Sequence, residues 1–296
     1  MTETYPLEIF ESANEAKKGS FFRAQASIDK KLIRLTPTSL ANQEAYVTSR
    51  LKAFGIMSDI AAGVLPEDGI ELSTPNVKTS DQTSLIVDHA QGISLRRSFM
   101  GPDTRSELEL HGFLLIPTKT KVTQLRQLLR FVLALNEQRY VYSDMNPESL
   151  YINFTSITVI DPGALEGYQK YQPPSYPKEK PLDPKSLSGS ELWSGSDRFT
   201  GWSDTIYALF DLSSTKINDH LIPKNIREAA NALRSRETGY PKVPSLVDLL
   251  DIVDHTSSDE IDHIDHVREN IVSFFDREQI PVRDSTIMKL PDKLVK

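Results

Sequence analysis

The first third of the chain alternates short apolar runs with polar segments. LEIF, FFRAQAS and KKLIRLT, between positions 7 and 36, are typical of three short antiparallel strands. Residues 39–55 then place apolar side chains at mostly helical spacing, with Ser39 as N-cap and Gly55 as C-cap. IELST and TSLIVDH follow, and the second is a continuous apolar run as in a buried strand. The pattern predicts a small β-rich unit with one helix.

Beyond Gly92 the apolar spacing becomes mainly helical. VTQLRQLLRFVLALNEQRY has one broad apolar face, and helical patterns recur at WSDTIYALF, NIREAANALRS, SLVDLLDIVD and EIDHIDHVRENIVSFFDRE. The apolar stripe of the last pattern leaves His263 and His266 on its flank, so we expect no metal site there. Residues 168–196 are dense in Pro, Ser, Gly and Lys, which predicts a long irregular surface segment.

Composition and charge narrow the classes of function. The 296 residues are 39% hydrophobic and 25% charged, as in a soluble globular chain with one large two-lobed domain or two ordinary ones. A net charge of -7 without a basic block argues against a nucleic-acid partner. The absence of cysteine excludes disulfides, thiolate metal sites and cysteine nucleophiles. We expect no membrane segment and a cytoplasmic location, since neither a signal peptide nor a run of about 18 apolar residues occurs.

The stretch YVYSDMNPESLYINFTSITVIDPGAL is the most informative part of the sequence. It contains Asp144 in a polar loop after a long apolar helix, then two apolar runs, then Asp161 followed by Pro-Gly. The stretch resembles the catalytic loop and the metal-binding loop of protein kinases. In that family a hairpin joins the two loops, so that the catalytic aspartate and the metal-binding aspartate project into one cleft.

Other segments resemble kinase landmarks in the same order. LIVDHAQGISLRRSF resembles the kinase strand, hinge and following helix, in which backbone groups near Asp88 to Ala90 pair with an adenine edge. Glu44 lies on the single helix of the β-rich unit, where the family has its ion-pairing glutamate. WSDTIYALF resembles the long buried helix whose aspartate, here Asp204, ties down the backbone of the catalytic loop. The resemblance covers roughly residues 7–255.

The resemblance implies an α+β, two-lobed protein-kinase-like fold. The N-lobe, about residues 1–88, is an antiparallel β-sheet with one helix, and the C-lobe, about residues 92–255, is mainly α-helical. Residues 256–296 are then a C-terminal helical extension packed on the C-lobe. The cofactors that the resemblance implies are ATP and Mg²⁺.

The groups that hold phosphates in kinases are altered in this sequence. Gly19 is the sole glycine where the Gly-rich loop belongs. In the best register Arg34 stands at the position of the strand lysine, with Lys31 or Lys30 as less regular candidates. Arginine keeps the positive charge but changes reach and geometry.

The catalytic and metal loops are altered as well. Asn146 stands where kinases have a lysine that contacts the transferring phosphate, and Ser149 replaces the metal-binding asparagine. Pro162 replaces an aromatic residue after the metal-binding aspartate and fixes the local backbone. The resemblance therefore implies the following site: Asp144 and Asn146 as catalytic residues, Asp161 at the metal, and Arg34, Glu44, Asp88, Ala90 and Ser149 at the nucleotide.

Three functions fit these observations. The first is a pseudokinase, a nucleotide- or partner-binding regulatory module that has lost groups on which phosphoryl transfer depends. The second is a divergent but active Ser/Thr-type kinase, in which Asp144 orients a protein hydroxyl and Asp161 holds Mg²⁺. The third is a kinase-like enzyme acting on a small molecule. A protein partner or protein substrate is expected under the first two, and the oligomeric state stays open.

Overall fold

The protein is described from a computed structural model, which places residues 22–29, 31–37, 43–95, 107–142, 145–160, 165–167, 198–210, 220–234 and 244–281. These residues form a mixed α+β structure. Their strands are β1 (Phe22–Ala26), β2 (Leu32–Pro37), β3 (Glu71–Ser73), β4 (Val77–Ser80), β5 (Leu85–Asp88), β6 (Ile93–Ser94), β7 (Tyr140–Tyr142), β8 (Leu150–Ile152), β9 (Ser156–Val159) and β10 (Leu165–Gly167).

The helices in the described ranges match the helical patterns of the sequence, except for the helix Glu107–Leu115, which the sequence did not predict. They are α1 (Gln43–Gly63), α2 (Glu107–Leu115), α3 (Thr118–Glu137), α4 (Arg198–Phe210), α5 (Lys224–Arg234), α6 (Leu246–Asp254) and α7 (Ser258–Glu278), with a short 3-10 helix at Pro147–Ser149. The predicted strand LEIF, Gly19, Ser39 and the predicted surface segment 168–196 lie outside the described residues. None of the helices described here is long and apolar enough to cross a membrane.

The first sheet has four antiparallel strands in the order β1-β2-β5-β4. Side chains alternate between the two faces of a strand, and Leu85 and Val87 of β5 are buried against Val47 and Phe54 of α1. This small core explains why one helix lies on the sheet. The prediction of strands at β1, β2 and β5 is confirmed, whereas β4 was missed because its VKTS sequence is polar.

Helix α1 continues eight residues beyond its predicted end at Gly55. Gly55 has open space around it and stays helical, because Met57, Ile60 and Ala61 continue the apolar spacing and enter a second, larger core. One face of α1 thus packs on the first sheet near its start and on the larger core near its end.

The second sheet connects the β-rich part with the helical part. Its strand order is β3-β9-β8-β6, with β3 parallel to β9 and the other pairs antiparallel. The segment before β3 is held on α3, since Glu67 forms ion pairs with Arg126 and Arg130 and Gln127 donates to the Leu65 carbonyl oxygen (3.0 Å). These ion pairs and this hydrogen bond therefore hold the β3 edge of the second sheet against α3.

Helix α3 is the centre of the larger core. Leu125, Leu128, Leu129 and Leu135 are fully buried in it together with side chains of α4, α5, α6 and α7. The apolar stripe predicted for α7 is confirmed: Ile261, Ile264, Val267, Ile271 and Phe275 are buried in this core, and His263 and His266 are exposed.

Two charged residues of α7 bind the ends of other helices. The Asp265 carboxylate accepts from the Thr118 backbone N–H at the start of α3 (2.5 Å). Arg268, which is buried, donates to the carbonyl oxygens of Phe210, at the end of α4, and of Leu221 (3.1 Å). A negative group at a helix start and a positive group at a helix end both stabilise a helix. Helix α7 is therefore part of the same core as the helices before it.

Asp81 organises the turn between β4 and β5. Its carboxylate accepts hydrogen bonds from the Thr83 backbone N–H (2.6 Å), the Thr83 hydroxyl (2.8 Å) and the Ser84 backbone N–H (2.7 Å). Partial burial alone raises the pKa of Asp81, but these hydrogen bonds outweigh it and hold the pKa below the ordinary value. The charged form is thus favoured by folding.

We expect Asp81→Ala to lower the free energy of unfolding at pH 7 by about 1 kcal/mol, a value kept small because the turn is exposed. Because folding lowers the pKa, this contribution is present above the ordinary value of 3.8 and is lost as the pH falls through the folded-state pKa. Urea unfolding of both proteins at pH 7 and pH 3 measures it. Asp59→Ala, on the exposed side of α1, is the control. A difference of the same size at both pH values would contradict this reading.

Candidate functional site

The described residues on both sides of Asp144 and Asp161 are paired with one another. Strands β8 and β9 form a hairpin with Leu150 opposite Val159, and the Ile160 backbone N–H donates to the Ser149 carbonyl oxygen (2.8 Å). Strands β7 and β10 are antiparallel, with Tyr142 opposite Leu165. The predicted hairpin is confirmed. Asp144 and Asp161 themselves lie outside the described residues, so their predicted roles stay predictions.

Helix α4 approaches the loop after β7 very closely. Met145 is buried, and a Cβ atom added to Gly201 would collide with the Met145 carbonyl oxygen. A helix-interior glycine costs about 1 kcal/mol relative to alanine, and close backbone approach is a usual reason for one. Gly201 therefore sets the distance between α4 and this loop.

The Asp204 carboxylate has a partner on the neighbouring helix α5. It pairs with the Arg234 guanidinium at 3.1 Å, and the same guanidinium lies over the Tyr207 ring. The helical register turns Asp204 toward α5, whereas Gly201, three residues earlier, faces Met145. Ser143 and Asp144 of the loop after β7 lie outside the described residues, so the role predicted for Asp204 stays a prediction, whereas the contact of Gly201 with the Met145 backbone was not predicted.

Asn146 and Ser149 are brought together. Asn146 precedes the 3-10 helix, its carbonyl oxygen accepts from the Ser149 backbone N–H (3.1 Å), and its side-chain oxygen accepts from the Ser149 hydroxyl (3.3 Å). Ser149 is only 2% exposed. Its hydroxyl therefore helps to close this turn. The hydroxyl is poorly placed to bind a metal ion as the longer asparagine side chain of kinases does.

The expected ion pair between Arg34 and Glu44 is absent from the described part of the chain. Glu44 lies in the first turn of α1 on an exposed flank, which it shares with Thr48 and Lys52. Val47 and Phe54 occupy the face that contacts the sheet. Arg34 lies opposite Ile86 in the sheet, and its buried Nε atom has no hydrogen-bond partner within the described ranges. The register of α1 thus turns Glu44 away from the position that the prediction required.

The connecting segment, residues 88–92, joins β5 to β6. Several of its backbone groups already have partners: the Asp88 N–H donates to the Asn76 carbonyl oxygen (3.0 Å) and the His89 N–H to the Lys31 carbonyl oxygen (2.8 Å). The Ala90 carbonyl oxygen accepts from Nδ1 of the His89 ring (2.7 Å). The Asp88 N–H and the Ala90 carbonyl oxygen therefore already have partners within the protein, so fewer backbone groups remain to hydrogen-bond the edge of an adenine.

The Asp88 side chain is also engaged. Its carboxylate contacts Lys78 (3.0 Å) and accepts from the Asn76 side-chain amide (3.1 Å). Across the residues that the structure describes, no group of three or more His, Asp or Glu side chains is placed to hold a metal ion.

The comparisons with known proteins give no family for this chain. No protein-family model matches it, and no curated protein matches it either.

We expect Gly201→Ala to lower the free energy of unfolding by about 1–3 kcal/mol, because α4 or the Met145 backbone has to move. Gly55→Ala is the matched control in another helix interior, where the added methyl group meets open space. The control is expected to stabilise the protein by about 0.5–1 kcal/mol through helix propensity. Chemical denaturation measures both variants. Equal stability of Gly201→Ala and Gly55→Ala would contradict this prediction, because it would show that a methyl group fits between α4 and the Met145 backbone.

Proposed function

We propose that this chain is a two-lobed protein-kinase-like domain with degraded catalytic motifs, a pseudokinase that acts as a nucleotide- or partner-binding regulatory module. The observation that carries the proposal is the pairing around Asp144 and Asp161. Tyr142 lies opposite Leu165 and Leu150 opposite Val159, so the segments that border the two aspartates converge. This is the arrangement from which a kinase projects both aspartates into one cleft.

The order of the elements supports the same proposal. The four-stranded antiparallel sheet with α1 corresponds to a kinase N-lobe, and the connecting segment corresponds to the hinge. The long helix α3, the hairpin β8–β9 and helix α4 then follow in the order of a kinase C-lobe. Under this proposal α7, in residues 256–296, is a C-terminal extension of that lobe, and its buried stripe supports such packing.

Four observations favour a domain that has lost efficient phosphoryl transfer. Glu44 is exposed and unpaired with Arg34, and the Ser149 hydroxyl is buried against Asn146. Asn146 supplies no positive charge where kinases have lysine, and backbone groups at 88–90 are bonded within the protein. Catalysis of phosphoryl transfer rests almost wholly on positioning and charge stabilisation, so each change removes part of it.

ATP and Mg²⁺ enter the proposal through the family resemblance alone. Asp161 is the remaining carboxylate for a metal ion, and Arg34 is the remaining cation for a phosphate. The second candidate is a divergent but active Ser/Thr-type kinase. It is favoured because Asp144 and Asp161 are both present at the spacing that kinases have. The two candidates differ in one property, the dependence of nucleotide binding on Mg²⁺ and Asp161.

Thermal unfolding with ATP, with ATP plus Mg²⁺ and without ligand separates them, because a ligand that binds the native state raises the Tm. For the pseudokinase we expect that Mg²⁺ adds nothing to any rise caused by ATP, and that Asp161→Ala behaves like the wild type. A rise that requires Mg²⁺ and disappears in Asp161→Ala would overturn the proposal in favour of the active kinase. Glu269→Gln, an exposed charge change on α7, is the control for unspecific effects.

A further inference from the structure

The side chain of His89 turns back onto the connecting segment. Its Nδ1 atom lies 2.7 Å from the Ala90 carbonyl oxygen. A carbonyl oxygen only accepts hydrogen bonds, so Nδ1 carries the hydrogen and donates it. Ala90 is only 7% exposed, which leaves little room for a second donor at the same oxygen. The His89 ring thus occupies a backbone acceptor of the connecting segment.

The same ring contacts the β8–β9 hairpin. It packs against the Tyr151 ring of β8 in an edge-to-face arrangement, with ring centroids 6.0 Å apart and planes at 82°. Leu150 and Ile152, on either side of Tyr151, are fully buried in the larger core. Because side chains alternate along a strand, Tyr151 lies on the opposite face of the hairpin, where it is half-buried. The His89 ring therefore lies between the connecting segment and the face of the hairpin that is turned away from the core.

The backbone that carries this ring is held on both sides. The His89 N–H donates to the Lys31 carbonyl oxygen (2.8 Å), and the His89 carbonyl oxygen accepts from the Gln91 side-chain amide (3.3 Å). Gly92 has a φ of +120°, and a Cβ atom added to it would collide with the Ile152 carbonyl oxygen. Rotation of the His89 side chain therefore opens the place that the ring occupies, while the backbone stays where it is.

We propose that the His89 ring blocks a purine-binding position on the connecting segment, and that a purine binds there only after the ring has rotated away. This inference rests on the proposed function, in which the connecting segment corresponds to the segment that pairs with an adenine edge. The imidazole and a purine make the same two contacts. An exocyclic amino group also donates to a carbonyl oxygen, and a base also packs on an aromatic ring, as the imidazole does with Ala90 and Tyr151.

Such a block lowers the affinity for a purine without abolishing it. The apparent affinity of a ligand falls by the fraction of molecules in which its site is accessible. One hydrogen bond and one aromatic contact favour the blocking position of the ring, and contacts of these two kinds together correspond to a factor of roughly ten to a hundred. Removal of the ring should therefore raise the affinity by at least about tenfold.

Calorimetric titration of the full chain with adenosine tests the proposal. Adenosine has no phosphate that Mg²⁺ or Asp161 could hold through the metal, so the result is separate from the test of the proposed function. We expect His89→Ala to bind adenosine about tenfold or more tightly than the wild type does. His263→Ala, the same substitution at an exposed position of α7, is the matched control and should bind adenosine as the wild type does. Equal affinity of the wild type and His89→Ala, or no binding by either, would overturn the proposal.

The state of the ring in the wild type gives a second measurement, which does not depend on any variant. Nitrogen-15 NMR of the His89 side chain, assigned through its backbone resonances, reports which ring nitrogen carries the hydrogen. We expect the Nδ1–H form without ligand, because Nδ1 donates to the Ala90 carbonyl oxygen, and loss of that form at saturating adenosine. A hydrogen on Nε2 alone without ligand, or a ring unaffected by adenosine, would also overturn the proposal.

Discussion

The buried polar side chains of α3 are the constraint on which the rest of the structure depends. Gln124 donates to the carbonyl oxygens of Asn153 (2.6 Å) and Ser156 (3.0 Å), and Arg126 pairs with Glu67 and with Asp254 (2.6 Å). Buried polar groups are costly without partners, and these donors of α3 find their partners only when the β8–β9 turn, the segment before β3 and helix α6 are all docked on it. The β3-β9-β8-β6 sheet and the helical part are therefore docked on each other through α3.

That arrangement fixes the borders of the candidate site from two sides. The turn of the hairpin is held by Gln124, and the loop that precedes the hairpin is held by the close contact of Gly201 with Met145. Both contacts act on backbone atoms, so they position the chain whatever side chains it carries there. Backbone contacts of this kind are compatible with the proposal that the domain keeps its fold while the side chains of its site have changed.

Much of the fold was predictable from the sequence, because apolar spacing reports which face of an element is buried. Helix α7 and the β8–β9 hairpin follow directly from that spacing. The sequence failed where a contact depends on the register of one helix against another element. Glu44 was assigned from its place on the single helix of the β-rich unit, yet the register of α1 turns it to an exposed flank. Gly201 carried a signal, as a glycine inside a helical pattern, that was not used.

Phosphate transfer from labelled ATP tests the central claim most directly. The purified chain is assayed alone and with a mixture of protein acceptors, in Mg²⁺, beside Asp144→Asn, which removes the charge of the proposed catalytic aspartate and preserves its shape. The account predicts that labelling by the wild type is no greater than labelling by Asp144→Asn. Labelling by the wild type that Asp144→Asn abolishes would contradict it and would establish an active kinase.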